Sequence, residues 1–228
     1  RISLRDRDNG RKNDFGIMKK LGLLLAFGIL ASAAPAQAKL RLVIGGKSVG
    51  TGSATVKLRE DGSKQMLISL TLEQDSQTVQ IRSESVYSKT GKAVSRFMET
   101  SVPSQKYRKT LIATFDDKGV SVVEDINGKR KTNKYPLEAN QPREDKSEFW
   151  FIRDQPKKGD KCKVFSFSLD EGVWNLVETV YEGKFEVTIG GKKVSAHRTR
   201  SEQGVAYLDD KGLPLKLELK NGYIERVW

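Results

Sequence analysis

The sequence predicts a mainly β protein: one large antiparallel, curved meander sheet in half-barrel style, with one short helical segment near the middle. Three observations lead there. From Lys39 onward apolar and polar residues alternate with a period of two, the mark of half-buried strands. Turn dipeptides at Gly45-Gly46, Asp61-Gly62, Asn127-Gly128, Gly190-Gly191 and Asn221-Gly222 punctuate these runs and supply the positive φ that tight hairpins need. The short runs between them favour pairing of consecutive strands.

In chain order, residues 1–17 are polar and charged, lie ahead of Met18, and read as an upstream extension outside the fold. Met18, Lys19 and Lys20 give a start and a positive n-region, and Leu21 to Ala34 are apolar and uncharged. Pro35 then breaks any helix, and Ala36-Gln37-Ala38 places small residues where a signal peptidase reads them. This is the order of a secretory signal peptide over 18–38, cleaved after Ala38. The apolar stretch is shorter than the roughly 20 residues that span a bilayer, and no basic stop-transfer cluster follows it. The expected location is the periplasm or outside the cell, with no membrane span left after cleavage. Lys39, not a cysteine, is the first mature residue, so the protein is not expected to be a lipoprotein.

Residues 39–228 read as a single β-rich domain with two lobes, 39–137 and 160–228, joined by a Pro-containing, charged connector over 138–159. In the first lobe Met66, Ile68, Leu70 and Leu72 alternate with polar neighbours, as do Val79, Ile81, Ser83 and Ser85. In the second, Leu213, Leu215, Leu217 and Leu219 do the same. The connector holds Pro142, Pro156, the block Arg143-Glu144-Asp145-Lys146 and the run Phe149-Trp150-Phe151-Ile152. A short helix near 143–153 would gather Phe149, Trp150 and Ile152; three adjacent aromatic residues also suit a buried strand.

The formal charge is +12, and without residues 1–38 it is still positive, with 34 Lys/Arg against 26 Asp/Glu. Such charge is compatible with nucleic acid, an anionic membrane surface or acidic glycans. The basic residues are spread evenly, however, with clusters only at Lys129-Arg130-Lys131 and Lys157-Lys158, both in turn-like surroundings. A solvated face is the plain reading, and export removes access to nucleic acid.

Chemistry-bearing constellations are sparse. Cys162 is the only cysteine and His197 the only histidine, so four soft ligands for structural zinc are lacking. Cys162, in Lys161-Cys162-Lys163 at a strand entry, reads as a buried structural thiol and shows that no disulfide staples the fold. A Cys162–His197 nucleophile pair lacks the helix N-terminal setting such thiols use, and a hydrogen-bonded strand histidine is the better account. Asp116-Asp117 and Asp209-Asp210 sit in turns, where aspartates cap; they are too few to hold calcium. The spacing Gly45-x₄-Gly50-x-Gly52 follows no helix signal and is not a phosphate loop. The expectation is a protein that is no enzyme and carries no cofactor.

The aromatic residues carry the remaining signal. Phe165 and Phe167 share one strand face, and Trp174 and Tyr181 fall on the strands that follow. Core packing is the default for such a group. The alternative is an apolar groove on the concave side of a curling sheet, with Phe165, Phe167 and Trp174 as ligand-binding residues.

The segments Glu148-Phe149-Trp150-Phe151, Gln155-Pro156-Lys157-Lys158-Gly159-Asp160, Ile189-Gly190-Gly191-Lys192-Lys193-Val194, Ala196-His197-Arg198 and Tyr207-Leu208-Asp209-Asp210-Lys211-Gly212-Leu213-Pro214-Leu215 resemble one group of exported bacterial proteins. These are β-rich proteins in the style of the lipoprotein-carrier fold, similar to the non-catalytic β segments that precede secreted transglutaminase-like domains. The likeness spans roughly 148–216, with a weaker continuation back to Leu42. It implies a half-barrel with an apolar concave face and no catalytic core, and it assigns no binding residue. Together these readings lead to an exported, non-catalytic binding or carrier module for an apolar, lipid-like ligand. The alternative is a structural module that binds another envelope protein.

Overall fold

The computed structural model describes residues 36–74, 77–137, 150, 154–210 and 212–228. The described strands are β1 (Ala36–Ile44), β2 (Lys47–Leu58), β3 (Lys64–Gln74), β4 (Gln77–Tyr87), β5 (Ala93–Val102), β6 (Tyr107–Asp116), β7 (Gly119–Ile126), β8 (Lys129–Pro136), β9 (Lys161–Ser168), β10 (Val173–Ile189), β11 (Lys192–Ser201), β12 (Gly204–Leu208), β13 (Pro214–Leu219) and β14 (Gly222–Val227). All belong to one antiparallel sheet in the order β8-β7-β6-β5-β4-β3-β2-β1-β14-β13-β12-β11-β10-β9. Consecutive strands pair as hairpins throughout, and the two runs β1–β8 and β9–β14 meet where β1 pairs with β14.

The turns follow from local chemistry. Gly45-Gly46, Asn127-Gly128 and Gly190-Gly191 each place two residues at positive φ, between 51° and 88°, as two-residue primed turns require. Asn221-Gly222 departs from expectation by one residue. The turn falls on Lys220 and Asn221, and Gly222 begins β14 opposite Ile44.

The helical segment expected near 143–153 lies outside the described residues, apart from Trp150. Trp150, the described residue of that segment, is itself α-helical, and elsewhere among the described residues the one helical element is a 3-10 turn, Pro103–Gln105. Around Trp150, the Asp154 N–H donates to its carbonyl at 2.7 Å, and the indole is buried in the main core. No helix among the described residues is long and apolar enough to cross a membrane.

The main core runs across the seam between the two halves. Cross-strand partners form a continuous row Ala206, Leu217, Ile224, Leu42, Gly50, Leu72 and Val79, from β12 through β14 and β1 to β4. Alternation therefore places Met66, Ile68, Leu70 and Leu72 on the buried face, as the sequence predicts. Above β2, Gly50 and Gly52 leave room: a Cβ on Gly52 would sit 2.3 Å from the Ser69 carbonyl oxygen and 2.5 Å from Leu70 Cδ2. Their role is packing.

A second core explains the curvature. Phe167 of β9 packs with Met98 of β5, Leu111 and Ala113 of β6, and Val120 and Val122 of β7. These strands lie at the opposite end of the sheet order, so the sheet must curl until its ends overlap. It is not closed into a barrel, since β8 and β9 share no ladder.

Candidate functional site

The two sheet ends are treated differently, and that difference shapes the candidate sites. An unpaired edge strand exposes backbone donors and acceptors that invite another strand. At β9 the edge turns inward: Ser166, Phe167 and Ser168 are buried, and the Arg96 guanidinium donates to the Phe167 carbonyl at 3.0 Å. Nearby, Lys109 Nζ lies 3.9 Å from the Asp170 carboxylate.

The expected ligand residues separate here. Phe167 is 1 % exposed. Its ring meets Trp174 at 5.3 Å, Tyr135 at 5.1 Å and Phe115 at 6.3 Å between centroids. Edge-on contacts of this kind add to plain area burial. Trp174 is half-buried, opposite Phe167 in the β9–β10 ladder, and Phe115 covers it at 6.2 Å. Phe165 is half-buried beside the exposed Leu176 and is not part of the cluster. The structure thus brings Phe167 and Trp174 together and leaves Phe165 apart. Trp174 and Tyr181 lie on one 17-residue strand, β10, rather than on a pair of strands. Tyr181 belongs to the main core and Trp174 to the second. One polar atom in the cluster, Trp174 Nε1, is buried with no acceptor among the described residues.

A polar chain that the sequence did not reveal lies farther along β10. The Tyr181 hydroxyl is 2.8 Å from His197 Nδ1, and His197 Nε2 is 2.9 Å from Asp210 Oδ1. Lys184 Nζ donates to the same oxygen at 2.7 Å. A bulge between Tyr181 and Gly183, with Gly183 at φ 109°, brings Tyr181 and Lys184 to the same group. The Lys184 ammonium and then His197 hold the Asp210 carboxyl below the usual carboxylate range, while burial pushes the Tyr181 hydroxyl up. With Asp210 ionised, Nε2 donates to it, and in the neutral ring Nδ1 then accepts from Tyr181. Both ring nitrogens thus have side-chain partners on this polar chain, and Cys162 is buried opposite Thr179.

The sequence reading treated Asp209-Asp210 as a turn cap, and only half of that holds. Asp209 Oδ1 accepts from the Leu213 N–H at 2.8 Å, as a cap does, whereas Asp210 turns to His197 and Lys184. A depressed carboxyl stabilises the fold above its unfolded value of about 3.9 and loses that contribution as pH falls through its lower folded value. Asp210→Asn is therefore expected to lower the unfolding free energy read by urea at neutral pH by under about 1 kcal/mol, since Asp210 is largely exposed. The difference from the native chain should shrink as pH falls below the unfolded value and vanish once it is below the lower folded value.

At the other end, β8 reads Lys129-Arg130-Lys131-Thr132-Asn133-Lys134-Tyr135-Pro136 and is mostly exposed. The cluster Lys129-Arg130-Lys131, expected in a turn, opens a strand instead, since the turn is completed by Gly128. Arg130 reaches Asp125 at 3.6 Å. The outer backbone edge of β8 has no strand partner among the described residues. Those residues also hold no group of three or more His, Cys, Asp or Glu side chains fit for a metal.

No protein-family model matches the chain, and no curated protein matches it. Among solved structures it is similar to a β-barrel-like protein of the domain of unknown function DUF1849 from Brucella abortus. The identity is 14 %, the coverage 85 % of this chain and 94 % of that one, and the TM-score 0.47. It is also similar to a DUF1089 family protein from Pseudomonas aeruginosa, at 10 % identity, 82 % and 91 % coverage and a TM-score of 0.41. Neither is described as a transglutaminase-like protein, and neither bears on what this chain binds.

Proposed function

We propose that this chain is an exported, non-catalytic β module that binds an acidic, extended segment of another envelope protein along β8. The observation that carries this reading is the contrast between the edges. At β9 the residues Ser166, Phe167 and Ser168 are buried and capped by Arg96, whereas the outer edge of β8, flanked by Lys129, Arg130, Lys131 and Lys134, has no strand partner among the described residues. Strand addition supplies affinity through the backbone, and the cationic side chains select an acidic partner. Lysines on an edge also deter self-pairing, so the same residues exclude copies of this basic chain. Export rests on the leader read at residues 18–38, and the non-catalytic reading on the sequence, which holds a single cysteine and a single histidine.

The test is binding of a labelled peptide of alternating Glu and Val. It is expected to bind with micromolar affinity and at least tenfold more tightly than a Glu-Pro peptide of equal charge, which cannot form a strand. Lys131→Glu with Lys134→Glu should weaken binding at least tenfold. Equal affinity for the two peptides would reduce the interaction to net charge alone.

A second reading keeps the apolar ligand. It is favoured by Trp174 Nε1, which has no acceptor among the described residues and would donate to a carbonyl or carboxylate carried by a lipid-like molecule. The complete burial of Phe167 by the protein's own side chains makes it the weaker of the two. Uptake of a fluorescent fatty acid that disappears in Trp174→Phe would favour it.

A further inference from the structure

The bond expected to be cut lies inside the sheet. Ala38 is 1 % exposed and pairs with Ala54 of β2, and Lys39 pairs with Ser53 on one side and Val227 of β14 on the other. The flanking Leu40 and Leu42 are 3 % and 1 % exposed in the main core. A processing protease takes its substrate as an extended strand and bonds its backbone. Here those backbone positions already belong to β2 on one side and, from Lys39, to β14 on the other. We propose that the Ala38–Lys39 bond is a processing site open only before β1 docks, so that leader removal must precede completion of the fold. This rests on the reading of 18–38 as a leader and goes beyond it, because it fixes the order of cleavage and folding.

The register sharpens the point. Pairing of β1 with β14 covers Lys39↔Val227 to Ile44↔Gly222 and starts at the first residue that cleavage would leave. Pairing with β2 reaches three residues further back, through Ala36↔Val56, Gln37↔Thr55 and Ala38↔Ala54. Cleavage therefore spares every rung of the seam between the halves and removes only the outlying rungs to β2. Because β1 joins β2 to β14, its second edge, from Lys39 onward, is covered only once β14 has been made. The bond thus stays open on that side until β14 pairs, and is sheltered afterwards.

Cleavage of a folded chain follows the population of its opened form when opening and closing are fast. The test uses the full chain, unfolded in urea and diluted into detergent micelles with a bacterial signal peptidase. In one arm the peptidase is present at dilution; in the other it is added after refolding is complete. Cleavage between Ala38 and Lys39 is expected in the first arm and to be at least tenfold slower in the second. Val56→Ala, which trims the residue opposite Ala36 and leaves the substrate segment untouched, should raise the rate in the second arm. Equal rates in the two arms would overturn the proposal while leaving the leader intact. No cut at this bond in either arm would overturn the leader reading and the proposal with it.

Discussion

Phe167→Ala is expected to destabilise the protein by about 3–5 kcal/mol, the range for truncating a fully buried phenylalanine. The upper part of that range applies for two reasons. Phe167 stands between the two ends of the sheet, touching side chains of β5, β6 and β7 from β9, so its removal leaves a cavity that no single strand can close. It also loses edge contacts to Phe115 and Trp174 and a tilted ring contact to Tyr135, at about 0.5–1.5 kcal/mol each in favourable pairs. Chemical denaturation monitored by tryptophan fluorescence and by far-ultraviolet dichroism would read it. A cost under about 1 kcal/mol would mean that Phe167 stands in a groove already open to solvent, the outcome the apolar-carrier reading needs. Phe165→Ala is the internal control, expected to cost less because Phe165 is half-buried and outside the cluster.

The same residues show what was legible in the sequence. Period-two alternation locates β3, β4 and β13 because one buried face imprints its pattern on each strand separately. The double-positive turns are legible for a similar reason, since Gly45-Gly46 or Asn127-Gly128 meets a backbone demand within two residues. What alternation cannot convey is which distant strands a face meets. Phe167 and Tyr135 are far apart in sequence, and only the curl of the whole sheet puts their rings 5.1 Å apart. The aromatic face of β9 was therefore visible as a pattern, but its filling by the opposite end of the sheet was not.

The polar chain was illegible for a related reason. His197, Tyr181 and Asp210 carry no motif spacing, and Asp210 sits beside an aspartate that does cap its turn. The bulge at Gly183 that aligns them depends on the register of two strands, which no local signal records. The edge strand β8 failed differently: its Lys129-Arg130-Lys131 cluster looked like a turn because it adjoins Asn127-Gly128. A cationic edge strand and a cationic loop have the same composition, and pairing with β7 is what separates them.

Gly52→Val should produce the other large effect, a loss of about 3 kcal/mol or more, at the high end for overpacking a core. The glycine pair in β2, which the sequence already excludes as a phosphate loop, is assigned to the seam by its surroundings. Leu40 of β1 and Leu70 of β3 both pair with Gly52, and the missing side chain is what lets these leucines approach over β2. A Cβ there would meet the Ser69 carbonyl oxygen at 2.3 Å, a backbone atom that moves only if β2 and β3 separate. Relief by rotamer change is thus closed, and the strain passes into the ladder that carries Ile68, Leu70 and Leu72 of the main core. Gly45→Ala is the contrast. It has open space around its Cβ, so its cost comes from the positive φ alone, about 1 kcal/mol or slightly more. If Gly52→Val cost no more than Gly45→Ala in urea unfolding, β2 would have room to spare and close packing across the β1–β3 seam would be refuted. The larger loss follows from the fold itself, because β1 to β3 adjoin the junction through which the two halves share one core.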